Sequence, residues 1–332
     1  MAYKTAILGV TGAVGTEFLR ILEQRDFPLA SLKLLASHRS AGKKITFRGE
    51  ELTVEEVTEK SFDGVELLLS SAGGSISKKF APAAKAAGCV MVDNTSAFRM
   101  DPDTPLVIPE INPEDIKGHN GIIANPNCST IIMNVPVWPL HKISPIRRIV
   151  VSTYQAASGA GAKAMAELEA GARAMLAGEE FVPEVLPHPA AFNVFSHNSD
   201  VGPDGYNEEE TKMLLETRKI FHAPDMLVSA TCVRVPVMRA HSEAINIQFT
   251  DPVSEAQVRE ALASAPGIRI VDDRANSYFP MPLDAAEQDD VLVGRIRQDI
   301  SQPDGRGIDM FVSGDQIRKG AALNAVQIAE LL

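Results

Sequence analysis

The chain has 332 residues, of which 45% are hydrophobic and 23% charged, a composition typical of globular proteins. Its formal net charge of −11 at pH 7 argues against sequence-independent nucleic-acid binding, which needs clustered lysine and arginine. No apolar run reaches the roughly 18 residues that a membrane helix needs, and the opening MAYKTAILGV lacks the features of a signal peptide. The length favours two domains, and we expect neither nucleic acid nor membrane as a partner.

The cysteines and histidines do not form a metal-binding pattern. Cys89, Cys128 and Cys232 have neither zinc-site nor CxxC spacing, and the seven histidines are scattered. We therefore expect no metal and a reducing, cytoplasmic compartment. Cys89 opens an apolar strand and Cys232 lies in the alternating run SATCVRVPV, so both are interpreted as buried structural thiols.

The N-terminal segment has the order strand, glycine turn, helix. KTAILGV is a strand-like apolar run, TGAVG follows it, and TEFLRILEQR has helical periodicity. Glycine at positions 9, 12 and 15 lets the backbone approach a pyrophosphate, while the helix N-terminus supplies N–H donors. The pattern predicts a dinucleotide-binding turn, and a tight turn without a ligand is the alternative.

The second strand, LKLLA, ends without the acidic residue that binds the ribose hydroxyls in NAD-binding domains. Ser37, Arg39 and Ser40 stand there instead, and an arginine flanked by hydroxyls suits a 2′-phosphate. This favours NADP over NAD, with an ordinary solvated basic turn as the alternative.

Strand-like and helical segments continue to alternate up to residue 127. This alternation predicts a parallel sheet with right-handed crossovers. Ligands bind beyond the carboxyl ends of such strands, so we expect the polar ends SSAGGS and DNTSAFR to line a site.

After residue 127 the pattern changes to longer strands mixed with helices, which predicts an α+β domain with a largely antiparallel or mixed sheet. Residues 182–207 form a long segment rich in proline, asparagine and histidine, typical of a functional or interface loop. The terminal DQIRKGAALNAVQIAELL is predicted to be a helix that packs back on the first domain. The predicted domains are 1–127, completed by 315–332, and 128–314.

Several side chains are candidates for a chemical role, each with a structural alternative. Cys128 lies among small polar residues at the start of an apolar helix, where the thiolate is favoured, so it is a nucleophile or an incidental small residue. His241, in a break between two strands, is a base or a structural histidine. Arg234 sits in the apolar run CVRVPV and needs an anion, either an internal carboxylate or a substrate. Arg99 and Lys212 are further candidate anion binders.

Eight segments, taken in chain order, resemble aspartate-semialdehyde dehydrogenase. The likeness covers almost the whole chain, and its most specific parts are the cysteine and histidine segments. The segments are GxTGAVG at 9–15, SxRS at 37–40, NTSAFR at 94–99, NPNCST at 125–130, YQAASGAG at 154–161, EExK at 209–212, RVPVxRxHSEA at 234–244, and RKGAALNAVQIAE near the C-terminus.

The resemblance implies an α/β fold, with an N-terminal Rossmann-type parallel sheet and an α+β catalytic and dimerisation domain. It implies NADP-dependent reduction of L-aspartyl-4-phosphate to L-aspartate 4-semialdehyde with release of phosphate. This reaction belongs to lysine, threonine, methionine and diaminopimelate biosynthesis. The family's usual assembly, a homodimer or a homotetramer built from dimers, is expected here too.

The resemblance also assigns roles to individual residues. Cys128 is the nucleophile that forms a thioester, His241 the acid–base and Gln155 the residue that holds the acyl group. Substrate binding falls to the residues that match the family's anion and ammonium partners: Arg234 for the α-carboxylate, Glu209 for the α-ammonium, and Arg99, Lys212 and Asn127 for the phosphate. Cofactor binding falls to Gly9, Thr11, Gly12, Ala13, Val14, Gly15, Ser37, Arg39, Ser40, Ser158, Gly159 and Gln316.

Two positions depart from the family pattern. The C-terminal segment is usually entered through Asp-Asn, whose Asn lies near the nicotinamide, and here the pair is Asp315-Gln316. Arg239 and Ala240 stand before His241, where glycine is common in relatives. The contact of Gln316 with the cofactor is therefore in question, whereas the role of His241 is expected to be kept.

Three other readings are weighed against this one. N-acetyl-γ-glutamyl-phosphate reductase shares the chemistry, but its nucleophile usually follows a glycine, and here Asn127 stands there. Glyceraldehyde-phosphate dehydrogenase would carry SCTTN around its cysteine. A non-catalytic cofactor-binding homologue would have lost Cys128 or His241, and both are present.

Overall fold

The computed structural model describes residues 2–332; Met1, with which the predicted first domain begins, lies outside the described residues. Two compact units are present. The first comprises the chain up to Asn127 together with Ala321–Leu332, and the second comprises Cys128–Gly320. Each is described by itself.

Strands and helices alternate along the described chain. The strands are β1 Tyr3–Leu8, β2 Leu29–Ala36, β3 Lys44–Phe47, β4 Glu50–Glu56, β5 Leu67–Ser70, β6 Val90–Asp93, β7 Ile122–Ala124, β8 Ile146–Gln155, β9 Phe195–Ser196, β10 Leu227–Arg234, β11 His241–Phe249, β12 Ile268–Ile270, β13 Val291–Gln298 and β14 Gly307–Gly314. The α-helices are α1 Ala13–Gln24, α2 Gly74–Ala86, α3 Cys128–His141, α4 Ala162–Ala177, α5 Glu208–Ile220, α6 Glu255–Ala263, α7 Pro282–Ala285 and α8 Leu323–Glu330.

The first unit is built on a seven-stranded sheet in the order β3-β4-β2-β1-β5-β6-β7. All its pairings are parallel except the β3–β4 hairpin. Central strands buried on both faces are continuous apolar runs, as LLLS in β5 illustrates. One face packs against α1 and α8, through residues such as Phe18 and Val326, and the other packs against α2 through Phe80.

The second unit has a seven-stranded mixed sheet in the order β12-β13-β14-β11-β8-β10-β9. Two pairings are parallel, β8 with β10 and β12 with β13, and the others are antiparallel. Helix α3 is apolar on all sides because it lies between the sheet and helices α5 and α6. Side chains alternate along β11, so His241 and Glu243 lie on the same face as the buried isoleucines.

The predicted α/β class, with a Rossmann-type parallel sheet and a second α+β domain, is confirmed. One detail differs from the prediction: the C-terminal helix begins at Arg318 rather than Asp315, with a π-helical turn Arg318–Ala322 before α8. The β3–β4 hairpin is an element for which no prediction was made from the sequence. Asp315 stays outside the helix because its carboxylate accepts the N–H groups of Ile317 and Arg318.

Among the helices of residues 2–332, none has the length and apolarity required to cross a membrane. The same residues contain no group of three or more histidine, cysteine or carboxylate side chains arranged to hold a metal ion.

Candidate active site

The glycine turn of the first unit is fixed by backbone sterics. A Cβ on Gly9, at φ +89°, would lie 2.6 Å from the Ser71 carbonyl oxygen, and a Cβ on Gly15 would overlap the Gly9 carbonyl. Gly12 caps α1 without a side-chain hydrogen bond, and a Cβ there would meet nothing nearer than 3.4 Å. Two glycines therefore allow close backbone packing, and the third leaves the helix N-terminus, with Ala13 and Val14, open to a ligand.

The predicted 2′-phosphate residues stand beside this turn. Thr11 Oγ1 and Ser40 Oγ are 3.3 Å apart, which joins the glycine turn to the end of β2. Ser37 precedes the short 3₁₀ turn His38–Ser40. The Arg39 side chain is exposed and makes no hydrogen bond or ion pair within residues 2–332. A cation in this position is available to a phosphate monoester.

The polar end of the first sheet is organised by Arg99. Its Nε donates to the Asn125 carbonyl at 2.9 Å and its Nη2 to the Asn94 carbonyl at 2.7 Å, and the side chain is buried. Asn125 also accepts from Asn324 at 2.7 Å. Arg99 thus holds together the turns NTSAFR and NPN, the second of which leads through the buried Asn127 to the predicted nucleophile.

Cys128 is the first residue of α3, so its sulfur lies at the positive end of a helix. It is partly exposed and forms no disulfide. A Cβ on Gly320 would lie 2.9 Å from the Cys128 Cβ, so the π-helical turn packs directly against the cysteine. Gly320 is not among the site residues predicted from the sequence, although it lies in the segment RKGAALN.

Gln155, at the end of β8, connects three elements of the second unit. Its Nε2 donates to Ser129 Oγ at 2.9 Å and to Glu209 Oε1 at 3.0 Å. Because a carboxylate only accepts, this contact fixes which way the amide points. Gln155 Oε1 is buried and has no hydrogen-bond partner within residues 2–332.

The three consecutive glutamates at the start of α5 have different roles. Glu210 completes a capping box with Asn207 and also accepts the Cys232 N–H at 2.9 Å, so its role is structural. Glu208 is mostly exposed and lies 3.6 Å from Lys212. Glu209 is buried, 3.7 Å from Lys212, and contacts Gln155. The structure therefore brings Glu209 and Lys212 together, with Glu209 facing the site.

Arg234 is buried without a carboxylate within ion-pair distance among residues 2–332. Its Nη1 donates to the Ala156 carbonyl, its Nε to Asn198 Oδ1, and its Nη2 lies 3.0 Å from His197 Nε2. Burial lowers the pKa of His197 to about 4, so this ring is a neutral acceptor at pH 7. These contacts orient the guanidinium without neutralising it, which leaves a buried cation for an anionic ligand.

His241 begins β11 and is fully buried. Its Nδ1 accepts the Ala156 N–H at 3.0 Å, while Nε2 has no hydrogen-bond partner within residues 2–332. Burial, followed by the nearby charge of Arg234, lowers the pKa of His241 to about 3. A neutral imidazole carries one N–H, so the proton sits on Nε2. The ring therefore presents a hydrogen-bond donor to the site.

Gly159 creates the space in front of these two side chains. A Cβ there would lie 2.9 Å from Arg234 Nη1 and 3.0 Å from His241 Nε2. Glycine therefore keeps open a space lined by a buried cation and an N–H donor. Ser158, the residue before it, is buried and receives a hydrogen bond from Gln316.

Six of the eight predicted catalytic and substrate-binding residues lie in the second unit, and we call them the catalytic layer: Cys128, Gln155, Glu209, Lys212, Arg234 and His241. The remaining thiols are unsuited to chemistry, because burial raises the pKa of Cys89 to about 12 and raises the pKa of Cys232 further. Sequence reasoning missed four neighbours of this layer, although the long loop, NPNCST and RKGAALN contained them: His197, Asn198, Ser129 and Gly320.

Two family models match the chain. Residues 4–119 match the family model described as semialdehyde dehydrogenase, NAD binding domain. Residues 137–319 match the model described as semialdehyde dehydrogenase, dimerisation domain. A nucleotide-binding domain followed by this second domain defines the semialdehyde dehydrogenases as a class.

Individual relatives narrow the class. Aspartate-semialdehyde dehydrogenase of a Synechocystis species is 60% identical over 329 residues, covering 99% of this chain and 97% of that protein. The structure of aspartate semialdehyde dehydrogenase II from Vibrio cholerae, complexed with ASA, has a TM-score of 0.96 at 45% identity, covering 100% and 98% of the two chains. The Candida albicans enzyme with NADP has a TM-score of 0.76 at 26% identity, covering 100% and 98%. The chain belongs to the aspartate-semialdehyde dehydrogenase family of oxidoreductases.

Proposed function

We propose that the protein reduces L-aspartyl-4-phosphate to L-aspartate 4-semialdehyde with NADPH and releases phosphate, through a thioester on Cys128. One observation carries the proposal. A helix-start cysteine, a buried Nε2–H donor and a buried arginine without a carboxylate partner occur in one unit of a chain of this family. The position of the reaction in lysine, threonine, methionine and diaminopimelate biosynthesis follows from its product.

Cys128 attacks the acyl carbon of aspartyl phosphate. The new C–S bond forms as the C–O bond to phosphate breaks, so phosphate leaves and a thioester remains on the sulfur. The N-terminus of α3 favours the thiolate that this step needs. Gln155 supports the geometry, because its amide is held by Ser129 and Glu209.

NADPH, when bound, supplies the hydride that reduces the thioester carbon. His241 Nε2–H donates a hydrogen bond to the substrate oxygen as that oxygen becomes negative, and this stabilises the tetrahedral hemithioacetal anion; the neutral ring keeps its proton, because losing it would leave an imidazolate. The hemithioacetal anion then re-forms its carbonyl while the C–S bond breaks, which releases the aldehyde and the Cys128 thiolate. The Ala156 N–H, which donates to Nδ1, keeps the ring in the tautomer that carries its proton on Nε2.

Recognition of the substrate follows its charges. Arg234 receives the α-carboxylate, because a buried guanidinium held by neutral partners favours an anion. Glu209, buried beside Gln155, receives the α-ammonium. The phosphate is assigned, as the family resemblance implies, to Arg99, Asn127 and Lys212.

The glycine turn and its neighbours fit a dinucleotide, since α1 has no side-chain cap and Gly12 leaves its outer side open. Specificity for NADP rests on the exposed Arg39 with Ser37, Ser40 and Thr11 beside it. Ser158 and Gly159 are proposed as further cofactor contacts. We propose that the second unit pairs with its counterpart in a homodimer, or a homotetramer of such dimers. We place the protein in the cytoplasm, where Cys128 stays reduced.

The test is run in the reverse direction. Purified protein should reduce NADP with L-aspartate 4-semialdehyde only when phosphate or arsenate is present. N-acetyl-L-glutamate 5-semialdehyde, the aldehyde of the alternative enzyme, serves as the control and should give no turnover. Phosphate-independent reduction, or a preference for the N-acetylated aldehyde, would contradict the proposal.

A further inference from the structure

The segment before His241 has a backbone that its sequence does not favour. Ala240 adopts φ +73°, in the left-handed region, and is completely buried. Side chains with a Cβ occupy this region only when neighbouring groups hold them there. Any relaxation of Ala240 would move the next residue, His241, whose Nε2 faces the site.

Gln316 holds this residue. Its Oε1 accepts the Ala240 N–H at 2.9 Å, and its Nε2 donates to Ser158 Oγ. Gln316 is buried, so both ends of its amide are used by protein groups. The backbone around Ser158 is tied to the same segment, because the Ala157 and Ser158 N–H groups donate to the Val237 and Met238 carbonyls at 2.8 and 3.1 Å.

Asp315 holds the residue before it. Its carboxylate is fully buried and accepts from Arg239 Nε at 2.6 Å and from the Glu287 N–H at 2.6 Å. The other oxygen accepts the Ile317 and Arg318 N–H groups at 2.9 and 3.0 Å. The pair Asp315-Gln316 thus holds the pair Arg239-Ala240: Asp315 binds the Arg239 side chain, and Gln316 binds the Ala240 N–H.

We propose that the Asp315-Gln316 pair is a strap that holds the left-handed turn at Ala240, so that Gln316 is a positioning residue for His241. The role in catalysis depends on the proposed function; the strap itself does not. The length of the side chain matters, because an asparagine keeps the amide but withdraws it by one methylene from Ala240.

The test is a double-mutant cycle between Gln316→Asn and Ala240→Gly. Gln316→Asn should lower kcat by about 10–100-fold, with less than a threefold change in the Kd for NADP. Adding Ala240→Gly should raise the kcat of the Gln316→Asn variant at least tenfold, because glycine adopts a positive φ without support. A matched control is Gln298→Asn, the same change at another glutamine that donates to three backbone carbonyls of this unit; it should leave kcat within threefold.

A measurement that does not depend on enzyme activity tests the strap separately from the proposed function. The ¹⁵N resonances of the His241 ring should report the Nε2–H tautomer in the parent protein, lose that single state in Gln316→Asn, and regain it in the double variant. Loss of NADP affinity with no rescue by Ala240→Gly would overturn the proposal, as would unchanged His241 resonances. Inactive parent protein with the predicted resonances would instead refute the proposed function alone.

Discussion

The glycine turn of the first unit and the catalytic layer of the second are built on different principles. The turn is seven contiguous residues, and backbone approach requires glycine at two of them, since a Cβ at Gly9 or Gly15 would strike a carbonyl. The catalytic layer gathers Cys128, Gln155 and His241 from separate elements, and both Gln155 and His241 are oriented by neighbours distant in sequence. Local sterics therefore specify the first region, and tertiary contacts specify the second.

The largest effect is expected at the nucleophile of the catalytic layer. Cys128→Ala should reduce kcat/KM by about 10⁴-fold or more, because no other group can form the thioester. NADP affinity should be preserved, since the glycine turn is untouched; isothermal titration beside the kinetic assay measures both. Appreciable turnover by this variant would move the nucleophile to another residue.

The next prediction separates the two nitrogens of His241. His241→Asn places a polar atom where Nδ1 meets the Ala156 N–H, whereas His241→Gln places an amide N–H near the position of Nε2. If the ring acts first as an Nε2–H donor, the asparagine variant should lose about 10²–10⁴-fold in kcat and the glutamine variant clearly less. Equal losses would reject the donor role, and steady-state kinetics on both proteins decides it.

Arg234→Lys tests the orientation of the buried guanidinium. A lysine retains the charge but cannot donate at once to Ala156, Asn198 and His197. We expect kcat/KM for aspartate semialdehyde to fall by about 10–100-fold, in proportion to losing one or two charge-assisted hydrogen bonds. A fall of less than threefold would mean that charge alone suffices.

For the glycine-turn region, the corresponding test is Arg39→Ala. Because Arg39 is exposed and has no protein partner among the described residues, its loss should weaken the binding of NADP by about 10-fold, as expected for one charge-assisted hydrogen bond, and the binding of NAD by less than twofold. Fluorescence titration with both dinucleotides compares them directly. Equal weakening of the two would remove the 2′-phosphate assignment.

The smallest effect concerns Glu243, a buried acid on the same face of β11 as His241. Burial, then the charge of Glu209, raises the pKa of Glu243, whose oxygens have no hydrogen-bond partner within residues 2–332. The folded protein therefore keeps a proton that the unfolded chain releases above about pH 4.5. This contribution to stability is fully present below that pH and is lost as pH rises toward the native pKa.

His241 makes the stability depend on pH in the opposite direction. Its pKa is lowered to about 3, so its stabilising contribution is present above about pH 6.5 and is lost as pH falls. The Glu243→Gln variant lacks the pH dependence that Glu243 contributes. The Tm of the variant minus the Tm of the parent protein should therefore rise steadily between pH 5 and 8. A constant Tm difference over that range in differential scanning calorimetry would mean that Glu243 is ionised in the folded protein.

Much of the fold could be predicted from the sequence because its signals are local. Alternating strands and helices predicted the parallel sheet, and the glycine spacing located the turn before α1. The β3–β4 hairpin was not predicted because KITF and EELTVEE are short and lie at the edge of the sheet. The start of the C-terminal helix was misplaced because a side chain, Asp315, decides it.

The catalytic layer was predictable only in part. Residue chemistry marked Cys128 and Arg234, and family resemblance was needed to select Glu209 from three adjacent glutamates. The reason for that choice is tertiary, since Glu210 is used by Asn207 and Cys232. The contacts of Gln316 with Ala240 and Ser158 could not be foreseen, because they join three segments far apart in the chain.

The central claim is that the sulfur of Cys128 carries the acyl group between the two half-reactions. Mixing the protein with L-aspartyl-4-phosphate in the absence of NADPH, quenching in acid and digesting should yield a peptide with residue 128 heavier by one aspartyl group. Cys128→Ala should yield none, and hydroxylamine should remove the added mass. An unmodified residue 128 under conditions where the complete system turns over would contradict the account.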